Sequence, residues 1–461
     1  MVIVVATMMF MVQLDVSVLV IALPQIARHF GVPVVSLSLA VSIYLIMLVA
    51  FLPLSGWAAD RFGARRVLIA ATGAFGLFSL LCAFTGAVWQ FILLRALMGM
   101  AASLLTPVAR LVLLKQARRE ELVDALSITA MPMLVAPTIG PSLGGFIVEH
   151  GSWQYIFLLN VPVALALMGL TRLRIEAFPP ARGHRLDWLG AALLAGALIA
   201  LLTGIDRLAA GLTRPGPWAL LAAGALLAAL TGRHLRRHAA PIVTLDALAD
   251  PAFRTTVIGA GAVVRLPLRA MLFLLPLMFQ DGLGFSPFLA GLMLIALNGG
   301  DLLTKPVLGH WFDRYGFRRT SLVGCALILA ALAALLPVDG GPVGVVVILL
   351  ALVAAGIARS IVFTGMASLT FAALDKAQMS SGNVVANISM QMFNALAVSL
   401  TALLLGVATA LGGRAAPALA DYRLTLGAIT LIGLVSALLL VRQLPVHLRD
   451  LDGGRDRIER A

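Results

Sequence analysis

The feature that most constrains this chain is a succession of apolar segments, each about 20 residues long, running from the first residues nearly to the last. A helix needs about 20 residues to cross a bilayer. The segments contain few charges, and only 12% of all residues are charged while 61% are hydrophobic, whereas soluble domains carry about 25% charged residues. The sequence therefore predicts an all-α integral membrane protein.

Spacing of the apolar segments predicts fourteen transmembrane helices. They cover approximately residues 2–26, 36–59, 67–86, 88–112, 124–148, 153–171, 188–205, 217–232, 255–279, 288–310, 320–337, 342–370, 381–411 and 422–441. The first segment is longer than the core of a signal peptide and lacks a basic leader, so we expect it to be retained as a span.

The basic residues predict the orientation of these helices, because Lys and Arg are retained on the cytoplasmic side of a membrane. Most of the 34 basic residues fall in loops on one side if both termini are cytoplasmic, and only Arg28, Arg207, Arg214, Arg414 and Arg423 fall in loops on the other. This asymmetry accounts for the net charge of +13 without a nucleic-acid partner. We expect a protein of the plasma (inner) membrane with both termini in the cytoplasm.

A charged turn with the pattern G-x-x-x-D-R-x-G-x-R-R occurs twice, at residues 56–66 and 309–319, with an offset of 253 residues. The offset carries the second predicted helix onto the tenth, an even number of crossings away, so the repeat is parallel. Parallel halves are one known plan of transporters. We therefore expect a six-helix bundle in residues 1–173, two inserted helices in 174–253, a second six-helix bundle in 254–442 and a cytoplasmic tail in 443–461. The inserted helices are expected to have no charge in their cores.

Asp15 lies near the middle of predicted helix 1, and Arg95 lies inside predicted helix 4. A charge at the centre of a span costs about 2.5–3.5 kcal/mol to insert, and such residues usually face a cavity or a partner. Burial raises the pKa of a carboxyl group and a nearby cation lowers it, so Asp15, tuned by Arg95, could load and release a proton as its surroundings change. The alternative is a static ion pair that holds helices 1 and 4 together.

Charges also lie inside the predicted helices of the second half. Asp301 and Lys305 share one face of helix 10, Arg265 and Arg269 share one face of helix 9, and Arg359 lies inside helix 12. These groups could surround a substrate cavity, with Asp301 attracting a cation or joining the path of the proton. Alternatively, Asp301 forms an internal salt bridge with Lys305 or an arginine, which neutralises both charges for insertion.

The sequence contains no pattern typical of an enzyme or of a cofactor site. No phosphate-binding loop is present, so ATP is not expected to drive the protein, and no cluster of catalytic residues is evident. None of the histidines is expected to bind a metal, and the two cysteines, Cys82 and Cys325, fall inside apolar segments and do not indicate a disulfide framework.

Five stretches resemble motifs of one transporter family, the fourteen-helix drug:proton antiporter branch of the major facilitator superfamily. They are the charged turn at 56–66, Leu14-Asp15-Val16-Ser17 followed by Ala22-Leu23-Pro24, Arg95-Ala96-Leu97-Met98-Gly99, Ala136-Pro137-Thr138-Ile139-Gly140-Pro141-Ser142-Leu143-Gly144-Gly145 and Trp153-Gln154-Tyr155-Ile156-Phe157-Leu158-Leu159-Asn160-Val161-Pro162. Val20, Met98 and Ala136 depart from the patterns, which have Asn, Gln and Gly there. The stretches follow one another in the order and spacing of the family.

The resemblance implies a secondary transporter that exports hydrophobic or cationic small molecules by proton antiport and alternating access, driven by the proton motive force without a cofactor. It assigns Pro137, Gly140, Pro141, Gly144 and Gly145 to an antiporter motif, whose small residues permit close helix packing. It also implies that the charged turns form a cytoplasmic gate, through Gly56, Asp60, Arg61, Gly63, Arg65 and Arg66 and, in the second copy, Asp313 and Arg314. The alternative for the turns is a purely topological role.

Other functions remain open at the level of sequence. The excess of bases over acids inside the spans would also suit export of an endogenous metabolite or organic acid. A non-transporting membrane receptor or scaffold is an alternative of another class, although it would need no buried Asp and no repeated charged turn. The expected partners are a small-molecule substrate, protons and the lipid bilayer, with no nucleic acid. The sequence leaves the oligomeric state open, and we favour a monomer.

Overall fold

The computed structural model describes residues 1–116, 122–177, 187–208, 214–238, 241–243, 245–372, 379–414 and 416–443. These residues form seventeen α-helices and no strand. The helices are α1 Val2–Phe30, α2 Ser38–Phe51, α3 Leu54–Phe62, α4 Ala64–Ala83, α5 Val88–Gln116, α6 Leu122–His150, α7 Gln154–Arg174, α8 Trp188–Leu208, α9 Pro215–Arg237, α10 Pro251–Val257, α11 Ala260–Val263, α12 Arg265–Leu277, α13 Pro287–Tyr315, α14 Phe317–Ala334, α15 Pro342–Ala372, α16 Met379–Leu411 and α17 Leu419–Gln443.

The protein is an all-α membrane protein. Within the described ranges, eleven helices are long and apolar enough to cross a membrane, or twelve if α2 and α3 form one span. The other two predicted spans fall on α6 and α14, which include side chains outside the described set. The full count of fourteen spans, the domain boundaries and the cytoplasmic tail, of which all but residue 443 lies outside the described ranges, therefore remain predictions.

Two predicted helices are interrupted in the structure. The second predicted helix consists of α2 and α3, which meet at an angle of 58°. Pro53 lies between them, and a proline removes one backbone donor and displaces the preceding turn of a helix. The ninth predicted helix consists of α10, α11 and α12, followed by a π-helical turn from Met278 to Gly282.

The repeated turn has the same backbone conformation in both halves. Gly63 and Gly316, at equivalent positions of the two copies, have φ of 85° and 77°. Gly31 and Gly284, which share the offset of 253 residues, have φ of 64° and 72°. Residues with a side chain rarely adopt these positive φ angles, whereas glycine does. The repeat in the sequence is therefore also a repeat in backbone conformation.

The helices form two groups that meet along two contacts. In the first half α6 packs against α1, and α4 packs against α5 and α7; in the second half α15 packs against α13 and α14. The groups meet where α6 contacts α13 and where α2 contacts α16. We call the end of the molecule with Gly31 and Gly284 the outer end, and the end with Gly63 and Gly316 the inner end.

The inserted helices α8 and α9 pack against each other, and α8 also contacts α2 and α16. The hairpin therefore covers one of the two seams between the groups. The sequence predicts no charge in the cores of these helices, and Asp206, which is only 6% exposed, lies beyond the predicted core in the last turn of α8. The predicted span stopped at residue 205, whereas the helix continues to Leu208.

Candidate functional site

Asp15 and Arg95 form a buried ion pair between α1 and α5. A guanidinium nitrogen of Arg95 lies 2.6 Å from Oδ2 of Asp15, and both residues are at most 2% exposed. Arg95 also donates to the carbonyl oxygen of Ala40, and its guanidinium lies over the ring of Tyr44 at 4.5 Å. The structure thus brings together the two residues that the sequence singled out in the first half.

The second oxygen of Asp15 has a different neighbour, the side-chain amide of Asn160 on α7. The amide donates to Oδ1 at 3.3 Å and to the hydroxyl of Ser79 at 3.1 Å. Asp15 and Asn160 also line a small pocket, which has room for about one water molecule. The carboxyl group therefore contacts a cation, a neutral donor and a small polar space.

Residues of the predicted antiporter motif lie at both packing faces of α6. A Cβ on Gly140 or Gly144 would overlap Ser17 or Val18 of α1, in the same half. A Cβ on Gly145 would overlap the backbone of Pro287 at the start of α13, in the other half. The missing side chains let α6 approach a helix of each half closely.

The same motif provides acceptors for α13. Gly291 of α13 packs against the carbonyl of Pro141, so closely that a Cβ would overlap it. Farther along, Asn298 donates to the carbonyl oxygen of Pro137 at 2.7 Å. At the outer end the backbone N–H of Phe288 donates to Glu149. The two halves are thus in direct contact from the outer end to about the middle of α13.

Asp301, Lys305 and Arg359 form a charged network in the second half. Arg359 lies 2.9 Å from Oδ2 of Asp301, and Lys305 lies 3.7 Å from Oδ1. Arg359 also donates to the amide oxygen of Asn298 at 2.7 Å, the residue that contacts Pro137. The expected salt bridge of Asp301 therefore forms with both candidates, and Asn298 connects it to the motif on α6.

Arg265 and Arg269 on α12 have no carboxylate partner among the described side chains. Arg265 is 7% exposed, and Nε of both residues is buried without a hydrogen-bond partner. Arg269 lies over the ring of Phe363 at 4.9 Å. Counted with Asp301, Lys305 and Arg359, this region has four cations and one anion, so its charge is not balanced.

The charged side chains of the turns at the inner end make few contacts in this conformation, whereas Trp57 packs edge-on against Phe62 and Trp188. Among the described side chains, Asp60 makes no ion pair and Arg61 is exposed. In the second copy, Arg318 donates to the carbonyl of Val441 and Arg314 lies beside Tyr315, while the side chain of Asp313 is outside the described set. Gly56 and Gly309 both face open space.

A further polar cluster lies at the inner end of the hairpin. Asp187 accepts hydrogen bonds from the N–H groups of Gly190 and Ile242 and lies 2.8 Å from Nε2 of His234. Donor atoms of Asp187, His234 and His238 lie within 4.8 Å of one another and could hold a metal ion. The expectation that no histidine has suitable spacing for a metal therefore does not fit this part of the structure.

Sequence reasoning missed three polar residues that connect elements: Asn160, Asn298 and Asp206. Each stands in an apolar helix, and a polar residue within a span usually has a specific partner. That signal was available for Asn298, which directly precedes Gly299-Gly300. For Asp206 the signal was missed, because the predicted helix ended at residue 205 and Asp206 therefore counted as a loop residue.

The chain resembles known proteins over nearly its whole length. The family model described as Major Facilitator Superfamily matches residues 5–398 and 257–460. The provisionally named multidrug resistance protein MdtD of Salmonella typhi is 34% identical over 403 residues, which cover 86% of this chain and 84% of the relative. The protein of the same name from Cronobacter sakazakii is 33% identical over 399 residues, covering 86% and 84% of the two chains.

Solved structures share the fold at low sequence identity. A bacterial homologue of the human lysosomal transporter Spinster, in an inward-facing and unoccupied conformation, has a TM-score of 0.68 at 13% identity and covers 96% of both chains. The nucleoside transporter NupG has a TM-score of 0.63 at 14% identity, covering 95% of this chain and 98% of that one. Family model, relatives and fold agree, and the chain belongs to the Major Facilitator Superfamily, a family of transporters and not of enzymes.

Proposed function

We propose that this protein is a proton-coupled secondary transporter that exports small molecules from the cytoplasm by alternating access. In this proposal it crosses the plasma membrane fourteen times, and its inner end faces the cytoplasm. The buried pair of Asp15 and Arg95 is the observation that carries the proposal. The names of the relatives from Salmonella and Cronobacter support multidrug efflux, with hydrophobic or cationic compounds as substrates.

The pair supplies a proton site whose occupancy depends on its surroundings. In this structure Arg95 lies 2.6 Å from Asp15 and attracts its negative charge. Any movement of α5 relative to α1 weakens that attraction inside a nearly water-free bundle, where an isolated carboxylate is costly. Asp15 would then take up a proton, and return of Arg95 would release it. The helix movement and the proton are thereby linked.

The contacts between the halves support alternating access. The contacts of α6 with α13 lie between the outer end and the middle of the molecule, and Asp60 at the inner end makes no ion pair with a described residue. This arrangement supports the proposal that the transporter is closed on the outside in this conformation. In the opposite state we expect the charged turns to close the inner end.

Flux into inside-out vesicles tests the proposal. Wild-type protein should accumulate a fluorescent hydrophobic cation such as ethidium when the vesicle interior is acidic, and the accumulation should collapse with the pH gradient. Asp15→Asn should abolish this accumulation while the amount of protein in the membrane stays the same. Glu176→Gln, which neutralises an exposed carboxylate just beyond the end of α7, is the matched control and should transport normally.

Two outcomes would contradict the proposal. Normal accumulation by Asp15→Asn would leave the buried pair as a static link between helices. Binding of the cation without flux, and without dependence on the pH gradient, would favour a receptor or scaffold.

Export of organic acids is a second candidate, favoured by the unbalanced cations Arg265 and Arg269. Buried arginines without a carboxylate partner suit an anionic group, since a guanidinium can hold a carboxylate with two parallel hydrogen bonds. If organic acids are the substrates, one aromatic carboxylate should inhibit the transport of another. Hydrophobic cations should not inhibit that transport. Arg269→Gln should abolish the inhibition by carboxylates, whereas Arg172→Gln, at an exposed arginine near the end of α7, should not change it.

A further inference from the structure

Asp206 is a buried carboxyl group at the point where three structural units meet. It belongs to α8 of the inserted hairpin, and its Oδ2 lies 2.9 Å from the hydroxyl of Ser42 on α2 of the first half. Ser399 on α16 of the second half lies beside the same carboxyl group, but its hydroxyl forms no hydrogen bond with a described atom. Oδ1 of Asp206 has no hydrogen-bond partner among the described atoms. One side chain thus connects the hairpin to the seam between the halves.

No cation among the described residues is placed to balance a negative charge on Asp206. The helices α2 and α16 contain no Asp, Glu, Lys, Arg or His, and Tyr44 of α2 faces Arg95 instead. The charged residues of α9 all lie in its last turns, at the inner end. On α8 itself Arg207 is adjacent in sequence but exposed.

The hydrogen bonds of Ser42 indicate the protonation state of Asp206. The hydroxyl of Ser42 lies 2.9 Å from the carbonyl oxygen of Ser38 and 2.9 Å from Asp206. A hydroxyl has one proton to donate, and both a carbonyl and an ionised carboxylate only accept. A protonated carboxyl satisfies both contacts at once, because it donates to Ser42 while Ser42 donates to Ser38. An ionised group would also be buried without a compensating charge, which is strongly unfavourable.

We propose that Asp206 is a second proton-binding site, which binds its proton when the outer end is open and holds the outer seam shut once protonated. When α2 and α16 separate, water from the outer side reaches the carboxyl group and the proton exchanges with that side. When they close, the neutral carboxyl bonds to Ser42 and the hairpin is fixed across the seam. External acidity therefore favours the closed outer end. The inference needs alternating access, but it does not depend on the substrate or on Asp15.

Infrared spectroscopy of the purified protein tests the protonation directly. The carbonyl stretch of a protonated carboxylic acid should be present in the wild type and lost in Asp206→Asn, which keeps the shape of the side chain. Ser42→Ala should retain that band at a shifted frequency, because its hydrogen-bond partner is gone. A spectrum of Asp206→Asn identical to that of the wild type in this region would overturn the proposal.

The predicted effect on the seam is tested by distances between labels at the outer end. Gly86 and Gly340 are exposed in loops of the two halves and accept a Cβ, and both native cysteines are buried. In Gly86→Cys/Gly340→Cys protein, acidification should shorten the distance between spin labels, and Asp206→Asn should keep it short at all pH values. The same pH dependence with and without Asp206→Asn would contradict the proposal. Asp15→Asn should leave the infrared band of Asp206 in place. The proposal for Asp206 can therefore fail while the proposal for Asp15 holds, and the reverse.

Discussion

At the scale of single residues, the side chains most sensitive to change are polar groups that join helices. Arg359 bonds to both Asp301 and Asn298, and Asn298 bonds across to Pro137 of the other half. Removing one member of such a network leaves the others buried without partners. The resulting loss of stability is larger than the net contribution of one hydrogen bond. Substitutions at these residues can therefore distinguish a structural role from a role in transport.

Asp301→Asn should destabilise the protein, because it leaves Arg359 and Lys305 with Arg269 and Arg265 in a region that has no other described carboxylate. The free energy of unfolding should fall by about 1–3 kcal/mol. This is less than for breaking a fully buried ion pair, since the Asp301 side chain is 17% exposed. Thermal unfolding in detergent measures it. The double variant Asp301→Asn/Arg359→Gln should recover part of the loss, and additive losses would show that the two groups are not coupled.

Asn298→Ala should weaken the contact between the halves more than the fold of either half. Its amide donates to Pro137 across the seam, while Thr304, farther along the same helix, bonds only within it. The labelled pair at residues 86 and 340 should therefore show a longer or broader distance in Asn298→Ala and an unchanged one in Thr304→Ala. Equal effects of the two variants would assign Asn298 to helix stability alone.

At the scale of elements, close helix packing at the outer end depends on glycines. Gly291→Ala adds one methyl group against the carbonyl of Pro141, whereas Gly299→Ala, on the same helix, meets nothing within 4 Å. Overpacking of this kind costs about 1–3 kcal/mol. Because the contact exists when the outer end is closed, the substitution should destabilise that closed state. Gly291→Ala should lengthen the distance between the labels and slow transport, and Gly299→Ala should do neither. If both variants transported normally, the tight packing would not be part of the cycle.

The hairpin has a stabilising cap at its inner end that depends on pH. Burial alone would raise the pKa of Asp187, but hydrogen bonds from Gly190, His234 and Ile242 outweigh it and lower that pKa. A lowered pKa means that the contribution to stability is complete above the ordinary carboxyl pKa and is lost as pH falls through the lower, folded value. Asp187→Asn, which removes the charge but keeps a side-chain oxygen that can cap the helix, should therefore lower the free energy of unfolding at neutral pH by less than the roughly 0.5–2 kcal/mol that complete loss of a helix cap costs.

The difference between wild type and Asp187→Asn should shrink as the medium is made acid enough to protonate Asp187, and melting curves across that range would show it. A difference that stays constant across that range would mean that the charge of Asp187 is not what stabilises the hairpin.

The elements also show how far sequence alone reaches. Apolar length is a strong signal, so the positions of the long helices and the repeated turn were predictable. Helix ends are set by single caps and side-chain contacts, which is why the end of α8 was placed before Asp206. The bend at Pro53 was predictable from the proline itself, whereas the division of the ninth predicted helix is not visible in its apolar pattern.

For the candidate site, the partnership of Asp15 with Arg95 followed from the cost of charges inside a membrane. Which of several cations would pair with Asp301 did not follow, because four lie within reach on three helices. The bond between Asn298 and Pro137 joins residues 161 positions apart, and only the packing of α6 on α13 brings them together.

At the scale of the whole molecule, the charged turns are the proposed counterpart of the outer contacts. Asp60→Ala should slow transport because it prevents closure of the inner end, while the spacing of the labels at the outer end should be unchanged. Labelling of a cysteine in the turn from the cytoplasmic side should also stay the same. Altered sidedness of labelling would instead show that the turn serves only to set the topology.

The central claim is that outward movement of substrate is exchanged for inward movement of protons through Asp15. Proteoliposomes without an imposed pH gradient test it most directly, with an internal pH indicator and a gradient of the transported cation as the only driving force. Cation flux through wild-type protein should drive a counterflow of protons, and Asp15→Asn should show none. Cation flux through the wild type without any change in internal pH would contradict the account.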